Sequence, residues 1–401
     1  MTSSPAAAQS SREKAERNLR VAEDLARDFA STAVERDRRG GTAKRERDLL
    51  RQSGLLALSV PEEYGGLGAG WSQALELVRV IARADSSLGH LFGFQHLMLA
   101  TTRLFGNREQ WAELFRRSAS ERWFWGNALN PLDPRTTLSR DGTGYRLEGS
   151  KSFCSGASDS DMLIVSALHE TEPHRLVVAA LPTARDGIRV HSDWDNMGQR
   201  QTDSGSVDFQ RVRVEPHEVL TTPGPLGSTF ASLRPCIAQA ILANVYLGIA
   251  EGAFAEAQRY TKTQRRVWPG SGVTSPARDP YVLRHYGELW LALETAREVT
   301  DRAGILLEKS YELGDALTRE QRGRTAIAIA AAKVATTRTG LDVTSRLFEV
   351  GGARATAANL GLDRYWRNLR THTLHDPVDY KIRELGIFAL SGELPEPSFY
   401  S

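Results

Sequence analysis

Residues 349–381 read EVGGARATAANLGLDRYWRNLRTHTLHDPVDYK, and the fold assignment turns on them. The last third, LRTHTLHDPVDYK (369–381), sets His372 and His375 three residues apart, followed by an acid and a proline. Residues at i and i+3 of a helix share a face. The pair can therefore be metal ligands, ordinary helix residues or the reactive groups of an active site. A metal would need further ligands from elsewhere in the chain, and no other His, Asp or Glu motif accompanies these two, so the metal reading is the weaker one.

Working outward, the 401 residues contain 41% hydrophobic side chains, enough for a sizeable core in one large or two to three ordinary domains. The 51 basic and 49 acidic residues nearly cancel, which argues against nucleic acid or an anionic membrane as partner. Only Cys154 and Cys236 are present, far apart, giving neither a disulfide framework nor a CxxC motif, and a reducing cytoplasm is expected. The N-terminal residues run into charge without an apolar signal region. The longest apolar stretch, TAIAIAAAKVA (325–335), is shorter than the roughly 20 residues of a membrane span. Neither export nor membrane insertion is expected.

Residues 12–120 have helical texture: Leu19, Ala22, Leu25, Ala26 and Phe29 recur every three or four positions, and Gly40-Gly41 closes that segment. SVPEEYGGLGAGW (59–71) reads as a loop whose glycines do not match GxGxxG. From about 122 to 220 the texture changes to short runs, among them GYRLEGSKSF (144–153), DMLIVSAL (161–168) and SGSVDFQRVRVEP (204–216), which predict strands. After TTPGPLG (221–227), long helical patterns resume over 236–261 and 324–350. The reading is α+β in three units: an N-terminal helical domain over 1–121, a central β domain over 122–222 and a helical domain over 223–401. The chain has no GxxxxGK[ST], HExxH or GxSxG motif, which leaves the usual kinase and hydrolase readings without support.

Three groups of motifs in this order carry a resemblance: VPEEYGGLG (60–68), then GSKSFCSGASDSDMLIV (149–165) with MGQRQTDSGSVDFQRVRVEP (197–216), and the opening stretch 349–381. Together they resemble the acyl-CoA dehydrogenase superfamily over almost the whole chain. The resemblance implies an N-terminal helical domain, a central β-barrel, a C-terminal four-helix bundle and a homotetramer. Many acyl-CoA dehydrogenases carry a glutamate base where LHD here places His375. The segments GHLFGF, WGNA, FCSGA and RTHTLHDPV are more similar to dibenzothiophene monooxygenase and its relatives, two-component flavin monooxygenases on the same fold.

That likeness implies reduced FMN or FAD supplied by a separate NAD(P)H-dependent flavin reductase, O2 as co-substrate, and oxygenation through a flavin hydroperoxide. The expected substrate is a small fused aromatic heterocycle, with indole-type hydroxylation first and sulfur oxidation of a dibenzothiophene-type thiophene second. An acyl-CoA dehydrogenase with a relocated base is a further alternative, and a non-enzymatic flavin-binding protein is the rival from another class.

By motif matching, His375 is the catalytic candidate, and His372 orients the segment or contacts flavin. Ser155 approaches the reactive edge of the flavin, Asn127 touches flavin or substrate, and Trp194 walls the cavity. Arg266 matches an anion-binding arginine for the flavin phosphate, a role that suits the guanidinium fork, and Arg354 belongs to a part of the site that crosses between subunits. His90 and Phe94, one helical turn apart, line the substrate pocket. Dibenzothiophene monooxygenases tend to have a tyrosine at the position of Phe94. Each residue also has a structural alternative: a solvated histidine pair, a turn serine, a strand-end asparagine, a core tryptophan, surface ion pairs.

Overall fold

The computed structural model describes residues 5–264 and 266–401, without the side chains of 5–8, 173 and 174. Five helices come first: α1 (Pro5–Arg39), α2 (Lys44–Ser53), α3 (Trp71–Ala84), α4 (Ser86–Phe105) and α5 (Arg108–Ser120). Helix α1 ends where Gly40 and Gly41 take φ of +67° and +72°, a left-handed exit that a side chain would strain. Asn107 and Gln110 form a reciprocal capping box that starts α5. The loop at 59–71 contains one short turn of 3-10 helix, Glu62–Tyr64.

Seven strands follow: β1 (Trp125–Ala128), β2 (Thr136–Asp141), β3 (Gly144–Lys151), β4 (Met162–His169), β5 (Glu172–Pro182), β6 (Ile188–Val190) and β7 (Val207–Val214). They form one curled sheet in the order β1-β4-β2-β3-β7-β6, with β5 on the other side of β4. The β1–β4 pairing is parallel, and the β2–β3 and β4–β5 hairpins are antiparallel. A register shift between Leu147 and Gly149 bends β3 against β7. Leu138, Leu147, Leu163, Val165, Val212 and Val214 build the core of this sheet, separate from the helical core.

Five helices complete the chain: α6 (Leu233–Thr263), α7 (Pro280–Leu313), α8 (Arg319–Gly351), α9 (Asp363–Thr373) and α10 (Val378–Ser391). Helices α6, α7 and α8 pack on one another, and α10 lies along α8 to complete the C-terminal four-helix bundle. Helix α6 also packs against α3 and α4, so it is covered on several sides and its sequence is apolar almost all round. Its length and composition would suffice to cross a membrane. The structure instead buries it in the core of the fold, which corrects the expectation that no apolar segment of this chain is long enough. Cys154 lies in the sheet core and Cys236 in the helical core, both buried and free.

A second correction concerns the opening stretch. His372 is in the last turn of α9, whereas His375 lies in the connection to α10, where the helix has ended before Pro377. The two histidines are not on one helix face. A proline disfavours helical backbone in the residue before it, and His375 sits in the connection rather than in the helix that carries His372.

Candidate active site

Helix α4 is buried along almost its whole length, because Gly93 lets it approach α6 closely. A Cβ at Gly93 would stand 2.4 Å from the Ile241 methyl. That contact fixes His90 and Phe94, one turn apart with ring centroids 4.0 Å from each other. His372 meets His90 edge to face at 4.7 Å and the Tyr246 ring at 5.4 Å. The Tyr246 hydroxyl donates to the His372 carbonyl at 2.7 Å, which ties the end of α9 to α6.

Ser155 comes from the turn after β3, where Gly156 takes φ +73° and its N–H is held by Asp203 Oδ1 at 3.0 Å. The Ser155 hydroxyl lies 3.1 Å from His90 Nε2 and 2.7 Å from Ser204 Oγ. Ser204 donates to Thr202 Oγ1 at 2.7 Å, and Thr202 donates to the Gln199 carbonyl at 2.9 Å. A carbonyl can only accept, so the direction of the whole chain is set: Thr202 accepts from Ser204, Ser204 from Ser155, and Ser155 from His90. Neutral His90 therefore carries its proton on Nε2. Its Nδ1 is a buried acceptor with no partner among the described residues, and His372 Nδ1 is likewise buried and unbonded.

Burial pushes His90 down to about 3, assisted by the nearby His375. Burial alone does the same to His96, and burial with the neighbouring charges holds His372 well below the usual imidazole range. In the unfolded chain these three titrate near 6.5, so below that pH the unfolded state binds protons that the folded state refuses. Their contribution is complete above pH 6.5 and is lost as pH falls toward 3. Urea titrations at pH 7, 6 and 5 should show unfolding free energy dropping below pH 6.5 by about 1.4 kcal/mol per pH unit per histidine. A flat profile over that range would contradict this electrostatic picture.

His375 stands at the rim with 39% of its side chain exposed, and its ring is 6.2 Å from that of Tyr400. Its Nδ1 lies 3.1 Å from Asp376 Oδ1, and the same oxygen receives Lys333 Nζ at 2.9 Å. Lys333 also donates to Gln239 Oε1 at 2.7 Å and lies over the Tyr246 ring. Burial pushes the Asp376 carboxyl up, but the bonds and charges of His375 and Lys333 outweigh it and keep Asp376 ionised, well below the usual carboxylate range. An ionised carboxylate only accepts. His375 thus carries a proton on Nδ1 and leaves Nε2 free.

Asn127 is buried in β1, with its Oδ1 accepting from Leu129 N at 3.1 Å and its own N–H bonded to the Ser155 carbonyl. Trp194 donates to the Gln199 carbonyl at 2.8 Å and stands edge-on to Phe153 at 6.0 Å. His90, Phe94, Ser155 and His372 meet directly; His375 joins them at the rim, and Asn127 and Trp194 flank the Ser155 turn. The two arginines do not come to this site within one chain. Arg266 is exposed beyond the end of α6 and Arg354 is exposed beyond the end of α8. Those ends are joined by the Thr261 hydroxyl on the Val350 carbonyl. They lie about 25 Å along the helices from Tyr246 and Lys333 at 1.5 Å per residue.

Sequence reading missed five participants. Phe153 is 60% exposed with φ +61°, an unusual backbone for a bulky residue. Ser204 and Thr202 lay in the quoted motif MGQRQTDSGSVDFQRVRVEP with no role assigned to either. Asp376 stood in the opening stretch without a role. Lys333 was visible as the one charge inside the apolar run TAIAIAAAKVA, a pattern that signals a paired buried group. Among the described residues, no group of three metal-ligating side chains is arranged to hold an ion.

Comparison with known proteins identifies the family. Family profiles for the N-terminal, middle and C-terminal domains of acyl-CoA dehydrogenase match residues 14–122, 126–212 and 240–380. A Pseudomonas putida protein named probable FMNH2-dependent monooxygenase SfnC is 57% identical, over 96% of this chain and 97% of its own. The methanesulfinate monooxygenase MsuC of Pseudomonas fluorescens has a solved structure with TM-score 0.95 and 59% identity, over 96% of this chain and 99% of its own. The dibenzothiophene monooxygenase TdsC of Paenibacillus sp. A11-2, solved with FMN and indole, has TM-score 0.92 and 43% identity, over 96% of this chain and 100% of its own. The chain belongs to the acyl-CoA dehydrogenase family, the class that helical domain, curled sheet and helical bundle define. Within that family it is a flavin-dependent monooxygenase of the dibenzothiophene monooxygenase, SfnC and MsuC type.

Proposed function

We propose that the chain uses reduced FMN, delivered by a separate NAD(P)H-dependent flavin reductase, to place one atom of O2 on the sulfur of a small organosulfur compound. The observation that supports a flavin here is the pair of buried, unbonded ring nitrogens, His90 Nδ1 and His372 Nδ1, on rings 4.7 Å apart, the first of which meets the Ser155 hydroxyl through its Nε2. Such orphans are costly unless a ligand satisfies them, and the polar edge of a flavin ring would supply the missing partners. Asn127 and Ser155 would hold its reactive side, with Phe153 and Trp194 against its face. Arg266 and Arg354 would reach the phosphate of a flavin bound by a neighbouring subunit, which requires the homotetramer. Reduced FMN supplies two electrons and two protons; one oxygen atom goes to substrate and the other leaves as water.

The chain's own groups divide the remaining work. The hydroxyl line Ser155–Ser204–Thr202 ends on a backbone carbonyl, so it fixes the His90 tautomer rather than passing a proton on. His90 stays neutral and accepts. His375, at the rim and reachable by water, delivers and recovers protons through its free Nε2. Phe94, His90 and the Tyr246 ring keep the interior apolar and water-poor.

Sulfur is favoured over the indole-type carbon hydroxylation expected from the sequence, because MsuC and TdsC are both named for sulfur substrates. Indole remains the second reading, supported by the indole complex of TdsC and by Phe94, which offers a flat face without a phenol. We place the protein in the cytoplasm, with domains 1–121, 122–222 and 223–401. The test is turnover with reduced FMN regenerated in the same tube and methanesulfinate, dibenzothiophene and indole offered separately. Sulfur product from either of the first two supports the proposal. Indigo-type pigment alone would move the reacting atom to carbon, and turnover of acyl-CoAs alone would overturn the oxygenase reading.

A further inference from the structure

Lys333 is the only formal charge in TAIAIAAAKVA, and it is fully buried on α8. Burying an ammonium group in such a helix is unfavourable unless its partners are well placed. Its three donor positions are used economically: Asp376 Oδ1 at 2.9 Å, Gln239 Oε1 at 2.7 Å, and the face of the Tyr246 ring 5.2 Å away. Each contact leads to a histidine. Asp376 shares the same oxygen with His375 Nδ1, and Tyr246 holds the His372 carbonyl through its hydroxyl. Gln239 and Tyr246 are both on α6, so one ammonium joins α6, α8 and the α9–α10 connection at the point where both histidines emerge.

We infer that Lys333 is a positioning residue of the active site, holding Asp376 ionised and in place so that His375 keeps its Nδ1–H tautomer and presents Nε2. The inference rests on the monooxygenase reading for its consequence in turnover, but not for its structural readout. The charged and titratable groups facing Asp376 and His375 are Lys333 on α8, Lys381 on α10, Tyr246 on α6, His90 on α4, His372 on α9 and Tyr400. Among the described residues, Lys333 is the one ammonium or guanidinium bonded to Asp376, whose other partner there is the His375 ring. Without it the carboxylate loses its buried counter-charge at 2.9 Å, and the balance moves toward the protonated form that burial favours. A neutral carboxyl can donate as well as accept, and His375 is then free to exchange tautomer and orientation.

The test uses three variants of the full chain: Lys333→Met, Lys333→Arg and the double Lys333→Met/Asp376→Leu. Spectra of the flavin-free protein carrying isotope-labelled histidine report the His375 tautomer. We expect a single Nδ1–H form in the wild-type chain, a mixture in Lys333→Met, and retention in Lys333→Arg. Product formed per reduced FMN should fall about tenfold to a hundredfold in Lys333→Met, the range seen when a group that orients a functional side chain is lost. The double variant replaces the ion pair with apolar side chains of similar size, so it should regain thermal stability without regaining product yield. That separation distinguishes positioning from mere structure. If Lys333→Met keeps one Nδ1–H form, or if the double variant recovers wild-type yield along with stability, the inference is overturned. Should wild-type protein oxygenate none of the offered substrates, the monooxygenase reading fails while the tautomer comparison still decides the role of Lys333.

Discussion

His375→Ala should lower product yield by roughly a hundredfold or more, the usual worth of a positioned proton donor and acceptor. Oxygen consumption is expected to continue, with hydrogen peroxide taking the place of oxygenated product. The fold should survive, because His375 stands at the rim, 39% exposed, and contributes little to the core. His372→Ala removes a ring packed between His90 and Tyr246 and should cost stability as well as coupling. His375→Glu should not rescue, since a second carboxylate would stand against ionised Asp376, and negative charge already develops where oxygen is reduced. The measurement is product and peroxide per reduced FMN, with melting temperature alongside. Wild-type coupling in His375→Ala would make this histidine structural and misplace the working end of the site.

Arg36→Met should destabilise the whole chain by about 3–5 kcal/mol, the penalty for removing one partner from a buried ion pair. Arg36 is 3% exposed on α1. It meets Asp85 at 2.6 Å, Glu46 at 3.5 Å and the side-chain oxygen of Gln201 at 2.8 Å. Removing the guanidinium takes the counter-charge from buried Glu46 and half-buried Asp85. Asp85 also caps α4 through Leu88 N, so the helix that carries His90 and Phe94 loses part of its support at the same time. Denaturant titration measures the effect. A change under 1 kcal/mol would show that water reaches Asp85 and Glu46 when the arginine is gone.

These two residues mark different limits of sequence reading. His375 was singled out as a candidate from its neighbours in the chain, in a motif where His replaces a carboxylate base. Arg36 was one of many arginines on a helix with a polar texture, and only the folded chain brings it against Asp85, 49 residues away, and Gln201, 165 residues away. The same holds for the serine turn. Ser155 could be singled out from FCSGA, but the tautomer of His90 depends on Ser204, Thr202 and a carbonyl in another loop.

By itself the sequence determined the order of helices, strands and helices and the family, and it singled out His90, Phe94, Ser155 and His372, which the fold brings together. Hydrophobic periodicity and short motifs are local properties, and a family's motifs keep their order along the chain. Tertiary structure alone decided that α9 ends between His372 and His375, and that Lys333 binds the carboxylate beside them. It also decided that Arg266 and Arg354 lie about 25 Å along the bundle from the histidines of their own chain. Those facts depend on where a helix breaks, on which buried charge finds which partner, and on how far a rigid helix carries its end. Each is set by packing between segments remote in sequence, where no local pattern records it.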